Sequence, residues 1–366
     1  MNYHMKRFAA ALCLLLAVSL TGCGITGQMM LLPYQSVTAA AVQDTAAVQD
    51  TAGNTTDSAA AGNTTGENTS AGDSAEGNST TAVEAQSQTL FAERLAIPTG
   101  SLQAGNGDSS KIKASAAMIV GAEDGTVVYA DHVYDRLYPA SITKIMTAYV
   151  ALKYGNLDDT VTIDHAAANI TYPGAKLCHF KEGDKIKLRD LLTVMLVYSG
   201  NDAALAVADY IGGSQAGFAK MMNEEAKKLG AVDSHFVNPH GLPNKKHYTT
   251  AYDIYLIFHA LVSNQDFMSM VSNARVKVNY THKDGTAAVM TCRSTDRYLI
   301  GTAKAPAGIT VIGGKTGTTD AAGSCLVIYS QNSSGRGFIS VILHASNGTS
   351  LYKQMTYLLK LAAGSS

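Results

Sequence analysis

Apolar positions divide the chain into three unlike stretches. Residues 8–20 are apolar except for Ser19 and follow Lys6-Arg7. That is a charged start and a hydrophobic run too short to span a bilayer comfortably. Residues 37–88 are almost wholly Ala, Thr, Ser, Gly, Asn, Asp, Glu, Gln and Val, and no aromatic residue lies between Tyr34 and Phe91. Such a stretch cannot bury enough apolar surface to offset its ordering entropy and reads as a disordered tether. From about residue 110 the pattern is that of a folded head. Runs at 114–121 and 126–130 flank Glu123-Asp124-Gly125, a hairpin signal. From Ser141, Ile142, Ile145, Met146, Tyr149 and Val150 recur at helical spacing. Residues 188–198 and 203–211 read as helices around the break Ser199-Gly200, and 214–229 as a third ended by Gly230. Thr250 is placed to cap a helix through 262. Strand-like runs return at 276–280, 309–312, 325–330 and 338–344, and 351–361 makes a closing amphipathic helix. Strands at both ends with helices between predict an α+β head. It would hold an antiparallel sheet flanked by helices, with an inserted, mostly helical subdomain.

Charge sharpens this division. Residues 24–93 hold eight acids and no Lys or Arg, whereas 94–366 carry 26 basic and 21 acidic residues. The overall net charge of −1 gives no electrostatic case for nucleic acid. The apolar start ends in Leu20-Thr21-Gly22-Cys23, which resembles the lipobox of bacterial lipoproteins. The resemblance implies cleavage before Cys23 and lipid attachment to it, where an ordinary signal peptide would leave an incidental Cys. The expected organisation is a signal peptide at 1–22, a lipidated Cys23 and acidic linker at 23–109, and a catalytic domain at 110–366. As a flexible coil of about 70 residues the linker would separate its ends by roughly 45 Å. Beyond Cys13 and Cys23, the thiols are Cys178, Cys292 and Cys325. At most one pair of these three can close, and Cys325 lies in an apolar run that suits a buried core position.

The chemistry rests on three short motifs. Ser141-Ile142-Thr143-Lys144 sets a hydroxyl and an amine at i, i+3 on one helix face, just after Pro139-Ala140 at the helix start. Free N–H groups there favour developing negative charge. A Ser alone is a poor nucleophile, but a neutral Lys beside it can take its proton. The spacing alone is weak, because Ser110…Lys113 and Ser350…Lys353 share it. Ser199-Gly200-Asn201 follows at a helix break, although Ser330…Asn332 also has that form. Lys315-Thr316-Gly317 follows in turn, within a Gly-rich stretch flanked by strands. The ordered triplet is a far stronger signal than any member.

With its surrounding phrases, the head resembles the serine-type D-alanyl-D-alanine carboxypeptidases, which are low-molecular-mass penicillin-binding proteins. Those phrases run through Tyr138–Ala148, Ser199–Ala204, Phe236–Leu242, His247–Asp253 and Asp320–Gly323. The resemblance implies a penicillin-binding/β-lactamase-like fold and removal of the terminal D-alanine from peptidoglycan stem pentapeptides. Ser141 would be the nucleophile, Lys144 the general base and Ser199 a proton relay. Asn201 would hold the substrate amide. Lys315 would add positive potential, keeping Lys144 neutral and attracting the terminal carboxylate, and Thr316, Gly317 and Thr318 would line the carboxylate and acyl subsite. The backbone N–H groups of Ser141 and Thr318 would form an oxyanion hole. A β-lactam would acylate the same Ser141. No metal or organic cofactor is implied. The enzyme would act at the outer face of the bacterial cell membrane, held there by its lipid.

Three departures qualify the match. The family often carries an Arg shortly after its last strand, near the carboxylate pocket, where this chain has Gly348-Thr349-Ser350-Leu351-Tyr352; Arg293 or Arg297 would supply positive charge instead. Position 318 is Thr, a hydroxyl reminiscent of β-lactamases. The chain ends after its closing helix, where many relatives add a β-rich domain and an amphipathic anchor, a role the N-terminal lipid would take. A class A-like β-lactamase is the rival enzyme, but it wants Ser-Asp-Asn and a downstream Glu; residue 200 is Gly, and no Glu follows Glu225. Endopeptidase or transpeptidase action on wall cross-links shares the acylation step. A non-catalytic penicillin-sensing lipoprotein would be expected to lack Ser141, Lys144 or Lys315. His235, His240 and His247 lack a zinc-binding spacing, and Pro239-His240-Gly241 reads as a turn lining the cleft. Glu224-Glu225 and Lys227-Lys228 read as a solvated helix face.

Overall fold

The computed structural model describes residues 91–96, 102–103 and 108–364. The signal segment, Cys23 and most of the linker expected at 23–109 lie outside them. The remainder of that linker belongs to the head, which corrects the boundary at 110. Phe91–Arg94 forms a 3-10 turn, Phe91, Ala92 and Leu95 pack against the core, and Ala96 is buried. These are among the first large apolar residues after the polar tract, so they have surface worth burying.

A six-stranded antiparallel sheet is the frame. Its strands are β1 (Leu102–Gln103), β2 (Ala116–Gly121), β3 (Val127–Asp131), β8 (Ile309–Thr319), β9 (Gly323–Asn332) and β10 (Gly337–Ala345), in the order β1-β3-β2-β10-β9-β8. Both faces are covered, and the two-residue side-chain period shows how. Ala117, Ile119, Leu326, Ile328, Phe338 and Ile342 face one way, onto Leu351, Met355, Leu358 and Leu359 of the closing helix α8 (Gly348–Ala363). Met118, Val120, Val327, Ile339 and Val341 face the other way, into the larger core. That core is built on α1 (Thr143–Tyr154), α3 (Leu188–Val197), α4 (Asn201–Gly212), α5 (Gln215–Lys228), α6 (Ala251–Val262) and α7 (Gln265–Val271). The short α2 (His165–Ala168) lies between α1 and α3 in the chain.

Caps mark the helix starts as the sequence indicates. Ser214 Oγ accepts from Gly217 N, and Thr250 Oγ1 accepts from Asp253 N. The helical region also holds a second antiparallel sheet that the hydrophobic pattern does not reveal. It is ordered β4 (Thr160–Thr162), β5 (Lys185–Lys187), β6 (Arg275–Thr281), β7 (Ala287–Arg293). Strands β4 and β5 bury one residue each, Val161 and Ile186, which is too short a run to carry a period. Strand β6, which contains the run read at 276–280, thus belongs to this sheet and not to the main one. Cys178, Cys292 and Cys325 are all free thiols, and Cys325 is fully buried.

Candidate active site

The three motifs converge on one cleft because three different elements end there. Ser141 sits in a 3-10 turn, Ala140–Ile142, that leads into α1. Ser199-Gly200 is the break between α3 and α4, and Ser199 holds a φ of 77°, a strained value for a non-glycine residue. Lys315–Thr318 lies on β8, the edge strand of the main sheet. Gly317 lets that strand close on the nucleophile turn, since a Cβ there would stand 2.9 Å from Ser141 N and from Pro139 O. Any side chain at 317 would push the strand off the serine.

The amine of Lys144 is fully buried. Its Nζ lies 3.0 Å from Ser141 Oγ, 2.7 Å from Asn201 Oδ1 and 2.8 Å from the His240 carbonyl. Two of those partners can only accept. A neutral amine has two N–H groups, which Asn201 Oδ1 and His240 O take up, leaving its lone pair for the Ser141 hydroxyl, the one partner able to donate. Burial pulls the Lys144 amine down to about 7, with Lys176 adding to the fall and Cys178 and Asp202 opposing it. Lys315 is buried as well and hydrogen-bonds Ser199 Oγ at 2.9 Å and Thr316 O at 2.8 Å. Burial, then the charges of Lys144 and Lys176, push its amine well below the usual lysine range.

A cleft of about 860 Å3 opens above this floor. Ser141, Ser199, Asn201, Thr316, Gly317 and Thr318 all line it, whereas Lys144 and Lys315 lie beneath, out of contact with its open space. The Thr316 hydroxyl is 2.6 Å from that of Thr295, and Thr318 Oγ1 donates to Gly317 O. An acyl carbonyl placed over Ser141 would meet a nucleophile and a base on one side, and a hydroxyl tied to a second amine on the other. That arrangement suits acyl transfer through a covalent serine ester.

Several supporting groups lay in the quoted phrases without a role of their own. Both oxygens of buried Asp202 receive loop N–H groups, from Cys178 at 2.9 Å and His179 at 2.8 Å, which clamps one wall of the cleft beside Asn201. Thr143 Oγ1 donates to Ala140 O, so the ring N–H that meets it at 2.8 Å belongs to His247 Nε2, while His247 Nδ1 accepts from Val237 N. Burial pushes that imidazole down to about 3, so it braces the nucleophile turn as a neutral ring. His240 serves through its backbone carbonyl. Of the two candidate arginines, Arg297 lines the cleft, and Arg293 donates instead to Ile300 O. Gly200 fits because a Cβ there would stand 2.3 Å from Cys178 Sγ; the Asp of a Ser-Asp-Asn motif has no room. Glu225 departs from the expected solvated face: it is buried and bonded by Lys153, Tyr154 and Lys228.

Comparisons with known proteins point the same way. The D-alanyl-D-alanine carboxypeptidase DacD of Salmonella typhimurium is 31% identical over 258 residues, 68% of this chain and 62% of that protein. DacF of Bacillus subtilis is 30% identical over 259 residues, with 68% and 62% covered. The chain thus spans a little over six-tenths of the length of these relatives. Among solved structures, a Streptomyces DD-transpeptidase superposes with a TM-score of 0.61 at 30% identity, covering 68% of this chain and 98% of that one. DacD from Francisella tularensis gives 0.62 at 29% identity, with 74% of each chain covered. Residues 103–347 match the family model Peptidase_S11, D-alanyl-D-alanine carboxypeptidase, and this chain is a member of that family.

Proposed function

We propose that the protein is a serine-type D-alanyl-D-alanine carboxypeptidase that removes the terminal D-alanine from peptidoglycan stem pentapeptides. The observation that carries the reading is the Lys144 amine, dry and held between two pure acceptors, with Ser141 Oγ 3.0 Å away. Lys144 takes the Ser141 proton as Oγ attacks the carbonyl between the two D-alanines. The N–H groups of Ser141 and Thr318 steady the oxyanion. Ser199, bonded to Lys315, passes a proton to the leaving amine, and free D-alanine departs. Water then cleaves the ester with Lys144 again as base. Asn201 holds the peptide amide, and Thr316 and Thr318 offer hydroxyls to the end of the substrate. A β-lactam acylates the same Ser141.

The test is product analysis by mass spectrometry with a peptide ending in D-Ala-D-Ala. Loss of one alanine is expected, and Ser141→Ala should lose both this and labelling by a fluorescent penicillin. Persistent labelling would reject Ser141. Likeness to the Streptomyces DD-transpeptidase over nearly all of its chain favours a second outcome, aminolysis of the same ester. An added acceptor peptide would then appear joined to the acyl donor.

We further infer attachment to the outer face of the cell membrane through a lipid on Cys23, supported by Leu20-Thr21-Gly22-Cys23 at the end of the apolar start. Cys23→Ser should move the protein into the soluble fraction; unchanged partition would reject the anchor.

A further inference from the structure

The second sheet carries a charge imbalance that neither its packing nor the cleft chemistry uses. Its four strands hold Lys185, Lys187, Arg275, Lys277 and Arg293 and no Asp or Glu. The two-residue side-chain period splits the strand positions between two faces. Val161, Ile186, Val278 and Cys292 are buried in the larger core. All five cations are exposed on the opposite, outer face, together with Thr160, Thr162, Asn279 and Thr291. No aromatic side chain stands among these outward strand positions, and Val289 is the one large apolar residue there.

The cations adjoin one another and lack carboxylate partners. Arg275 lies directly opposite Arg293 in the ladder, and Lys277 is the next outward position on β6. Lys185 and Lys187 are successive outward positions on the neighbouring β5, where Lys185 pairs with Thr281. Neighbours on such a face stand about 5–7 Å apart. Among the described residues none of the five forms an ion pair. Lys187 donates to Asp158 O at 2.5 Å and Arg293 to Ile300 O at 3.0 Å, both backbone carbonyls. Acids at the ends of these strands are engaged elsewhere: Asp184 is buried against His282, Glu182 meets His165, and Asp284 accepts from Thr286 N. Like charges set directly opposite each other weaken a ladder, and an anion laid across Arg275 and Arg293 removes that cost. Strand β7 ends at Arg293, and Thr295 and Arg297 just beyond it line the cleft, Arg297 being held by Tyr352, whose hydroxyl accepts from its N–H at 2.8 Å.

We propose that the outer face of the second sheet docks an anionic polymer of repeating phosphodiesters and hydroxyls, of the type of poly(glycerol phosphate), close to the mouth of the cleft. Guanidinium forks and ammonium groups match phosphodiester oxygens, and the threonines and Asn279 between them match hydroxyls. A bilayer or a single-stranded nucleic acid calls for an apolar wedge or aromatic platforms beside the cations, which this face lacks. The docking is independent of the acylation chemistry and would hold the enzyme against a polyanionic matrix whatever peptide the cleft accepts.

The test is binding of the full chain to end-labelled poly(glycerol phosphate), followed by fluorescence anisotropy as salt is varied. Affinity should fall by about 10- to 100-fold between about 50 and 200 mM salt, as counterions are released on binding. Arg275→Gln/Lys277→Gln should weaken binding by about 10-fold or more at the lower salt and flatten the salt dependence. Its acylation by a fluorescent penicillin should keep the unaltered rate, and it should melt no lower, since the substitution relieves the repulsion at Arg293. Lys185→Gln/Lys187→Gln on β5 should lose binding likewise. Lys353→Gln/Lys360→Gln removes the same charge from the exposed side of α8 and should bind as the unaltered protein does. An absence of binding at the lower salt overturns the proposal. So does an equal loss in all three double variants, which would make the attraction a matter of net charge alone. Single-stranded DNA bound as tightly as the polymer, binding confined to phosphatidylglycerol vesicles, or self-association lost in the sheet variants with no polymer bound would each assign the face to another occupant and overturn it too.

Discussion

Two of the buried ionisable groups, Lys144 and Glu225, meet opposite fates. Lys144, at the cleft floor, is surrounded at hydrogen-bond distance by a hydroxyl, an amide oxygen and a peptide carbonyl. The nearby carboxylate of Asp202 is turned to the N–H groups of Cys178 and His179. The lost hydration outweighs the opposing pull of Cys178 and Asp202, and the amine falls to about 7. Glu225, on α5, is equally hidden, but Lys153 and Lys228 reach it from the surface and the Tyr154 hydroxyl donates at 2.6 Å. Burial there raises the carboxyl, and the hydrogen bonds from Lys153, Lys228 and Tyr154 outweigh it, leaving it at about 2. Burial is common to both groups. Whether a neighbour carries the opposite charge decides which one stays ionised.

The contrast can be broken most severely at Lys144. Lys144→Arg installs a cation that cannot give up its charge, so penicillin acylation should fall by about 100- to 10,000-fold and lose its rise with pH. On the proposed mechanism the free amine is the working form. Acylation should therefore climb as pH rises through about 7 and be lost below it, as stopped-flow or quenched labelling across the pH range would record. Asn201→Asp gives Lys144 the kind of partner Glu225 enjoys, a carboxylate in place of an oxygen now 2.7 Å from Nζ. The acidic limb of the same profile should move up by at least about one unit. A limb that stays in place would show that Lys144 does not set it.

Smaller effects are expected at the other cluster. Glu225→Gln should lower stability in urea by about 1–2 kcal/mol, since its lysine partners are largely in water, and leave the acylation limb unmoved. The sign with pH follows from a folded-state value below the ordinary 4.5. The contribution of Glu225 is present above pH 4.5 and fades as pH falls towards about 2, and the variant should lack that part of the acid sensitivity. Tyr154→Phe removes one donor to the same carboxylate and should cost about 0.5–1 kcal/mol in the same measurement.

The sequence made the site more legible than the wall around it. Ser141 and Lys144 are joined by the i, i+3 geometry of one helix, and Lys315 is marked by glycines that a closely approaching edge strand requires. Lys153 and Glu225 lie on different helices, and no local pattern links them, so Glu224-Glu225 beside Lys227-Lys228 looked like a solvated run. Arg297 is located by Tyr352, far along the chain and on the closing helix, in a segment without a period. The main sheet was legible in β2, β3, β8, β9 and β10, whose runs are apolar and at least five residues long, but not in the two-residue β1. The second sheet was not, because β4 and β5 are three residues each and β7 is largely exposed. The start of the head was set too late because its first apolar residues are few and matter only once they touch the core.

The contact between Gly200 and the sulfur of Cys178 has a bearing on how this scaffold can change. An aspartate at 200, one of the two features that separate this site from a class A-like β-lactamase, demands space that the thiol occupies. A side chain at 200 therefore requires the Cys178 thiol to move aside, and a smaller residue at 178 is expected to ease that change.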